Sequence, residues 1–146
     1  MTATLTATQR AAAIHWETSQ FSGSTPAATP TAASAITARA AYQMLLYGRA
    51  VLVDIRTGKQ RVEEGDVDRA LGPVVVDAEL LERRFDPRSA VQFPWVHEDL
   101  AVLVLCSEGY ASAVAAASLV RLGLPRASEV VGGLRAWREA GLPLAA

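Results

Sequence analysis

The sequence contains few residues of several kinds that define whole classes of protein. Only one of its 146 residues is a cysteine, Cys106, so no disulfide can form within the chain and a disulfide-stapled secreted fold is excluded. Lysine occurs once, at Lys59, and the 14 basic side chains are matched by 15 acidic ones, which leaves a net charge of -1. Because the chain has no excess of positive charge to bind a phosphate backbone, we expect no nucleic acid partner.

Long apolar runs are also missing. No stretch approaches the ~20 apolar residues that a membrane-spanning helix needs, and the first residues lack the basic start and apolar run of a secretion signal. We therefore expect a cytoplasmic protein without membrane contact. No group of His, Cys and Asp residues has the spacing of metal ligands, so we also predict no bound metal.

Composition divides the chain into two regions. Residues 1–33 are rich in Ala, Thr, Ser and Pro and show no sustained hydrophobic period, so they predict a mobile extension, with a short helix over 11–16 as an option. Hydrophobic residues make up 51% of the chain, which is enough for the core of one compact domain. We predict that this single domain covers residues 34–146.

Apolar runs of strand length alternate with segments of helical character through that domain. The runs at 51–55, 74–76, 101–105 and 129–131 are consecutive and rich in β-branched residues, which is typical of strands that are buried on both faces. Helices are predicted over 37–47, 59–64, 78–84 and 112–122 and from the 132–133 glycine pair to Gly141, with Thr37 and Asp77 as N-caps. The alternation predicts an α/β fold, a doubly wound parallel sheet of about five strands with helices on both faces.

The single cysteine lies where the strand 101–105 ends and the next helix begins. In an open parallel sheet, this edge is the one at which ligands bind. We expect the backbone N–H groups of residues 107–112 and the positive end of the helix to surround the sulfur, favouring a thiolate or an anionic persulfide. Gly109 would give the loop backbone angles that a side chain resists. Cys106 is therefore a candidate nucleophile, and a small buried hydrophobic side chain is the alternative interpretation.

Three segments of the sequence resemble the rhodanese family. They are VLVDIR at 51–56, VLVLCSEGYAS at 102–112 and VVGGLRAWREAGLPL at 130–144. Together they span most of residues 36–144, and the third segment is the most specific because its Gly, Ala, Trp and Pro residues have the family's spacing. The resemblance implies the rhodanese fold and a sulfurtransferase activity that needs no cofactor and carries sulfur as a persulfide on Cys106.

The resemblance also identifies an active loop of six residues, 106–111. The family's loop is commonly CxxGx followed by Arg or Thr, and related phosphatases use a loop one residue longer, so the length implies transfer of sulfur rather than phosphate. The residues that it assigns to substrate binding are Ser107, Glu108, Gly109, Tyr110, Ala111 and Ser112.

Two residues of the loop depart from the family pattern. Ala111 stands where many members have an arginine, and Glu108 adds negative charge where members that use thiosulfate tend to be basic. Since thiosulfate is a dianion, we expect it to be a poorer donor than a persulfide whose charge lies far from the transferable sulfur. The segment GDVDRA at 65–70 lacks the His and Gly of the family's GHIPGA stretch, which we expect to be a structural difference.

Several other side chains have two interpretations. Asp54 and Arg56 follow a strand that we expect beside the one ending at Cys106, so either residue can face the pocket. Arg56 would then supply the cation missing at position 111, or the two would form an internal ion pair at the sheet edge. Tyr110 either screens the sulfur from water or is an exposed side chain, and His97 is expected to be solvated rather than a base for Cys106.

We predict a two-step sulfurtransferase that accepts sulfane sulfur from a small donor on Cys106 and passes it to a thiol or another nucleophile. Two other hypotheses stay open. The first is a sulfur carrier or partner-docking module that turns over small donors poorly and gives its sulfur to an accepting protein, which Glu108 and Ala111 favour. The second is an interaction domain with an inert cysteine, which the presence of Cys106 and Gly109 in their expected places disfavours.

Overall fold

The computed structural model describes residues 33–146, and the extension and short helix predicted before residue 33 lie outside this part of the chain. Strands and helices alternate along the described residues, with short 3₁₀ turns at Arg69–Leu71 and Ala78–Leu80. The elements are β1 (Ser34–Ile36), α1 (Ala38–Leu46), β2 (Val51–Asp54), α2 (Gly58–Glu64), β3 (Val74–Val75), α3 (Leu81–Phe85), β4 (Val102–Leu105), α4 (Tyr110–Arg121), β5 (Ala127–Val130) and α5 (Gly133–Glu139).

The five strands form one parallel sheet in the order β1-β5-β4-β2-β3. The predicted α/β fold, with a five-stranded parallel sheet between helices, is confirmed. From β2 the chain runs to β3 on one side, whereas from β4 it runs to β5 on the other side. The connections therefore diverge between the carboxyl ends of β2 and β4, and such a divergence opens the crevice in which open α/β sheets bind ligands.

Both faces of the sheet are covered, and β4 shows why its sequence is apolar at every position. Val102 and Val104 pack in one layer with α3, α4 and the segment before β4, while Leu103 and Leu105 pack in the other layer with α1 and α5. Trp137 of α5 is fully buried in this second layer. The end of β4 is thus held between two packed layers, which gives the residue after it a fixed position.

Several element boundaries differ from those that the sequence pattern predicts. The pattern does not predict β1, because only three residues pair there and two of them are exposed. Helix α4 begins at Tyr110, two residues earlier than expected, so the last two residues of the active loop belong to the first turn of that helix. Beyond β4, the strand β5 begins at Ala127 and not at Glu129.

The two predicted N-caps have different outcomes. Thr37 caps α1 as predicted, since its Oγ1 accepts a hydrogen bond from Ala40 N at 3.1 Å. The prediction for Asp77 is wrong, because its side chain makes no capping hydrogen bond and the next three residues form a 3₁₀ turn. Helix α3 follows this turn and begins only at Leu81, so the predicted helix over 78–84 is divided in two.

The long segment between α3 and β4 enters the sheet at the edge opposite to Cys106. Phe93 and Trp95 stack with their ring centroids 4.9 Å apart, and both pack edge-on against Phe85, so Trp95 anchors this segment. His97 is not fully solvated as expected, because its Nε2 is buried and has no hydrogen-bond partner among the described residues. The length of β4, ~13 Å for four residues, separates His97 from Cys106 and excludes a Cys-His dyad.

Within residues 33–146, no helix combines the length and the apolar composition that are required to cross a bilayer.

Candidate active site

Cys106 directly follows β4 at the carboxyl edge of the sheet, with 5% of its surface exposed. The backbone N–H of Ile55 donates to Leu105 O at 3.0 Å, which places the residues after β2 beside the cysteine. A cavity of about 400 Å³ opens at this point, where the chain connections diverge. The residues that line it are Ile55, Arg56, Gln60, Glu64, Cys106, Ser107, Glu108, Tyr110 and Ala111.

Three polar groups converge on the cysteine sulfur. The backbone N–H of Gly109 donates to Cys106 Sγ at 3.0 Å, and that of Ser112 donates at 3.3 Å. The Ser112 hydroxyl accepts from the thiol at 3.2 Å, and on a negatively charged sulfur the same hydroxyl can turn and donate. The structure therefore brings Gly109 and Ser112 to the sulfur at the N-terminal end of α4, where the helix dipole also favours negative charge. Their role in catalysis stays a prediction.

The active loop packs so closely against a glycine pair that only glycine fits there. Gly109 has φ +95°, and a Cβ on it would lie 2.8 Å from Gly132 N. A Cβ on Gly133, whose φ is +57°, would overlap Cys106 O and lie 2.7 Å from the carbonyl carbon of Ser107. Gly109 and Gly133 therefore allow the backbone at the start of α5 to lie directly against the backbone that carries the cysteine.

The start of α5 also holds the loop by hydrogen bonds. Leu134 N donates to Cys106 O at 2.8 Å, and Arg135 N donates to Ser107 O at 3.1 Å. The sequence of the 130–144 segment indicates the fold but does not predict that Leu134 and Arg135 support the site. The sequence signal for this support is the pair of adjacent glycines at 132–133, because such a pair often permits close approach of another backbone.

Arg56 is engaged by protein groups. Its Nε and Nη2 donate to the Asp54 carboxylate at 3.0 and 2.7 Å, and its Nη1 donates to Gly65 O at 2.8 Å. The carboxylates of Glu64 and Asp66 lie 3.6 and 3.7 Å away. Burial lowers the pKa of Arg56, but the hydrogen bond to Asp54 and the three negative charges outweigh it and leave the pKa raised. The structure thus forms the internal ion pair between Asp54 and Arg56, although Arg56 also borders the Cys106 cavity. A role of Arg56 toward the substrate stays a prediction.

The remaining loop side chains border the Cys106 cavity and are largely exposed or bonded to α2. Ser107 Oγ donates to Glu64 Oε2 at 2.8 Å. Tyr110 is 88% exposed and borders the Cys106 cavity, and a role in screening the sulfur from water stays a prediction. Glu108 is also exposed and lies 3.9 Å from Arg135, which makes its electrostatic effect on the cavity weak. Ala111 is exposed and contributes no cation.

The segment 65–70, which departs from the family pattern, has a structural role. Gly65 O accepts from Arg56, and Val67 is buried and pairs with Leu144. Asp68 caps the 3₁₀ turn that follows, since its side chain accepts from Ala70 N. Across the part of the chain that the structure describes, no three His, Cys, Asp or Glu side chains form a group that could hold a metal ion.

No family model and no curated protein sequence matches the chain. Several solved structures do match it. A protein of unknown function from Rhodopseudomonas palustris, named as a possible tyrosine phosphatase, is 25% identical with a TM-score of 0.69 over 99% of this chain and 97% of its own. A rhodanese-related protein from Thermoplasma volcanium is 24% identical with a TM-score of 0.56, over 76% of this chain and 96% of its own.

The human single-domain sulfurtransferase TSTD1 is also similar. It is 23% identical, with a TM-score of 0.58 over 73% of this chain and 96% of its own. At this level of identity the likeness concerns the fold. The parallel sheet, the loop after β4 and these structural neighbours together establish that the chain has the rhodanese-like fold, as the sequence resemblance implied.

Proposed function

We propose that the protein is a sulfurtransferase in which Cys106 carries the transferred sulfur as a persulfide. The observation that carries this proposal is the convergence of the Gly109 and Ser112 N–H groups on Cys106 Sγ, at 3.0 and 3.3 Å. A hydrogen bond to a charged acceptor contributes about 1.5–3 kcal/mol, so the pair stabilises an anionic sulfur substantially. The cysteine also borders a cavity at the ligand-binding edge of the sheet, which gives a donor access to it.

The first step is attack of the Cys106 thiolate on the sulfane sulfur of a persulfide donor. A bond forms between Cys106 Sγ and that sulfur, the sulfur–sulfur bond of the donor breaks, and its electron pair leaves with the donor thiolate. The persulfide on Cys106 is itself anionic, so the loop N–H groups and the Ser112 hydroxyl hold it after transfer.

The second step returns the enzyme to its starting state. An acceptor thiolate attacks the outer sulfur of the Cys106 persulfide, a new sulfur–sulfur bond forms on the acceptor, and Cys106 leaves as a thiolate. The negative charge moves back onto Sγ, where Gly109 and Ser112 donate to it again. Neither step needs a cofactor, because the transferred sulfur is already sulfane sulfur in the donor and its oxidation state does not change.

Phosphate transfer is the rival function that the name of the R. palustris protein raises. A phosphoryl group is a dianion, and cysteine phosphatases need a cation at the loop to bind it. Here Ala111 and Ser112 supply none, and the guanidinium of Arg56 is bound to Asp54. A single anionic sulfur fits the two N–H donors better than a phosphate does.

A sulfur carrier that docks an accepting protein is the second candidate. The exposed Tyr110 favours it, because an aromatic ring beside a reactive group is typical of protein interfaces. Steady-state turnover with free thiols separates the two candidates. A carrier accepts sulfur but returns it slowly to small thiols, whereas an enzyme turns over many times.

Intact-mass measurement after exposure to a persulfide donor tests the proposal. The wild type should gain one sulfur atom, and Cys106→Ser should gain none while keeping its circular dichroism spectrum and melting temperature, because an alcohol cannot form the adduct. A matched assay with an aryl phosphate should show no hydrolysis. A wild type that gains no sulfur from any persulfide, or one that hydrolyses the phosphate through Cys106, would refute the assignment.

A further inference from the structure

A second cavity adjoins the one that contains Cys106. It has a volume of about 530 Å³ and lies between α4 and the 78–82 segment, and Ile55 and Ala111 form walls of both cavities. We call it the side groove. The residues that line it are Ile55, Ala78, Glu79, Leu81, Glu82, Ala111, Val114, Ala115 and Ser118. Its size is within the range of small-molecule sites, roughly 300–1,000 Å³.

The side groove has an apolar floor that stays partly open to solvent. Six of its nine lining residues are apolar, and Val114 is 64% exposed although it lies on a helix face beside the active loop. Ala111 and Ile55 line both the groove and the Cys106 cavity, and the side chain of Ala111 is only a methyl group. Because the two cavities share these walls, a chain attached to a sulfur atom at Cys106 lies beside the groove.

The charge of the side groove is negative. Glu79 and Glu82 are its only charged lining residues, both are exposed, and neither forms an ion pair within residues 33–146. The cavity on the other side of the loop differs, because its lining includes Arg135 and Arg138. An anionic group in the side groove would meet two carboxylates and no cation, whereas a cationic group would be attracted.

We propose that the side groove binds the organic substituent of the thiol that accepts sulfur from Cys106. The acceptor is a small thiol whose substituent is an alkyl chain with a neutral or positively charged end. This inference rests on the proposed sulfurtransferase function. The acceptor thiolate attacks the outer sulfur of the persulfide as described above, with its alkyl chain against Ile55, Leu81 and Val114 and its far end near Glu79 and Glu82.

A series of neutral straight-chain thiols tests the apolar part of the proposal. Cys106 is first loaded with sulfur, and the excess donor is removed. The rate at which each thiol takes sulfur from Cys106 is then divided by the rate at which the same thiol takes sulfur from a free low-molecular-weight persulfide. This ratio should rise about fourfold for each added methylene until the groove is filled. The slope should fall in Val114→Ala and persist in the control Val62→Ala, whose side chain is 86% exposed outside the groove.

Two charged acceptors test the acidic rim. The discharge rate of the loaded enzyme by 2-aminoethanethiol is compared with that by 3-mercaptopropionate, again relative to the free persulfide. Replacing both carboxylates, Glu79→Gln with Glu82→Gln, should lower the preference for the cation by up to about fivefold for each carboxylate at low salt, and less at high salt. The control Glu63→Gln, an exposed carboxylate of α2 outside the groove, should leave the preference unchanged.

The outcomes separate this inference from the function on which it rests. If Cys106 gains no sulfur at all, the proposed function fails. If Cys106 gains sulfur but the discharge ratio is flat across the alkyl series, the side groove is not the acceptor site. The same conclusion follows if Glu63→Gln changes the charge preference as much as the double variant does. In both cases the proposed sulfurtransferase function is still supported. The alkyl series uses the wild type, so a variant that does not fold still leaves a decisive result.

Discussion

Replacing Gly133 by alanine should displace the active loop, and the size of the effect follows from the packing of α5. At φ +57°, the left-handed backbone costs an alanine about 1–2 kcal/mol relative to glycine. The new Cβ would also overlap Cys106 O and lie 2.7 Å from the carbonyl carbon of Ser107 and 2.8 Å from Glu108 N. All three neighbours are backbone atoms, so the loop or the helix must move, at a further cost of about 1–3 kcal/mol.

Gly72 provides a matched control for the backbone term. Its φ is +65°, close to that of Gly133, but a Cβ there would meet no atom within 4 Å. Gly72→Ala should therefore lose only about 1–2 kcal/mol of unfolding free energy, whereas Gly133→Ala should lose about 2–5 kcal/mol. Urea unfolding at equilibrium, followed by tryptophan fluorescence, measures the difference.

The same two variants separate fold stability from the geometry of the site. A shift of about 1 Å in a reacting group can cost roughly a hundredfold in rate, so the initial rate of sulfur loading per folded molecule should fall about ten- to a hundredfold in Gly133→Ala. Gly72→Ala should load sulfur at the wild-type rate. Equal losses of stability and equal loading rates in the two variants would show that the contact between α5 and the active loop does not hold Cys106 in place.

Three further predictions follow from contacts in or near the site. Arg56→Met should lower the unfolding free energy by about 3–5 kcal/mol because it leaves the buried carboxylate of Asp54 unpaired. Adding Asp54→Leu should recover part of this loss. An Arg56→Met variant that keeps its full stability but loses sulfur transfer would contradict the stabilising role of the ion pair. Ala111→Arg should raise the efficiency of sulfur transfer from thiosulfate to cyanide about ten- to a hundredfold by pairing with the sulfonate, and an unchanged efficiency at equal ionic strength would contradict the missing-cation argument. Ser112→Ala should slow sulfur loading about tenfold or more through loss of its hydroxyl near Sγ. The control is Ser128→Ala, a half-buried serine of β5 outside the Cys106 cavity, and equal loading rates in the two variants would exclude a role for the Ser112 hydroxyl.

The sequence by itself determined the elements whose evidence is local. The consecutive apolar residues of β4 indicate a strand buried on both faces, and the cysteine that follows them is thereby placed at the ligand-binding edge of a parallel sheet. Thr37 signals the start of α1 because a cap depends on residues three positions apart. The weak edge strand β1 and the divided helix after Asp77 give no such local pattern, since their pairing and turn geometry depend on neighbours distant in sequence.

Only the tertiary structure decided what surrounds the sulfur. The order of the strands brings the residues after β2 beside Cys106. It also places Arg56 among carboxylates from three positions in the chain. The packing of Gly133 against Cys106 likewise joins two segments that sequence spacing does not connect. Periodicity and capping reflect interactions within one element, whereas the partners of a buried charge and the close approach of two backbones are set by how separate elements pack.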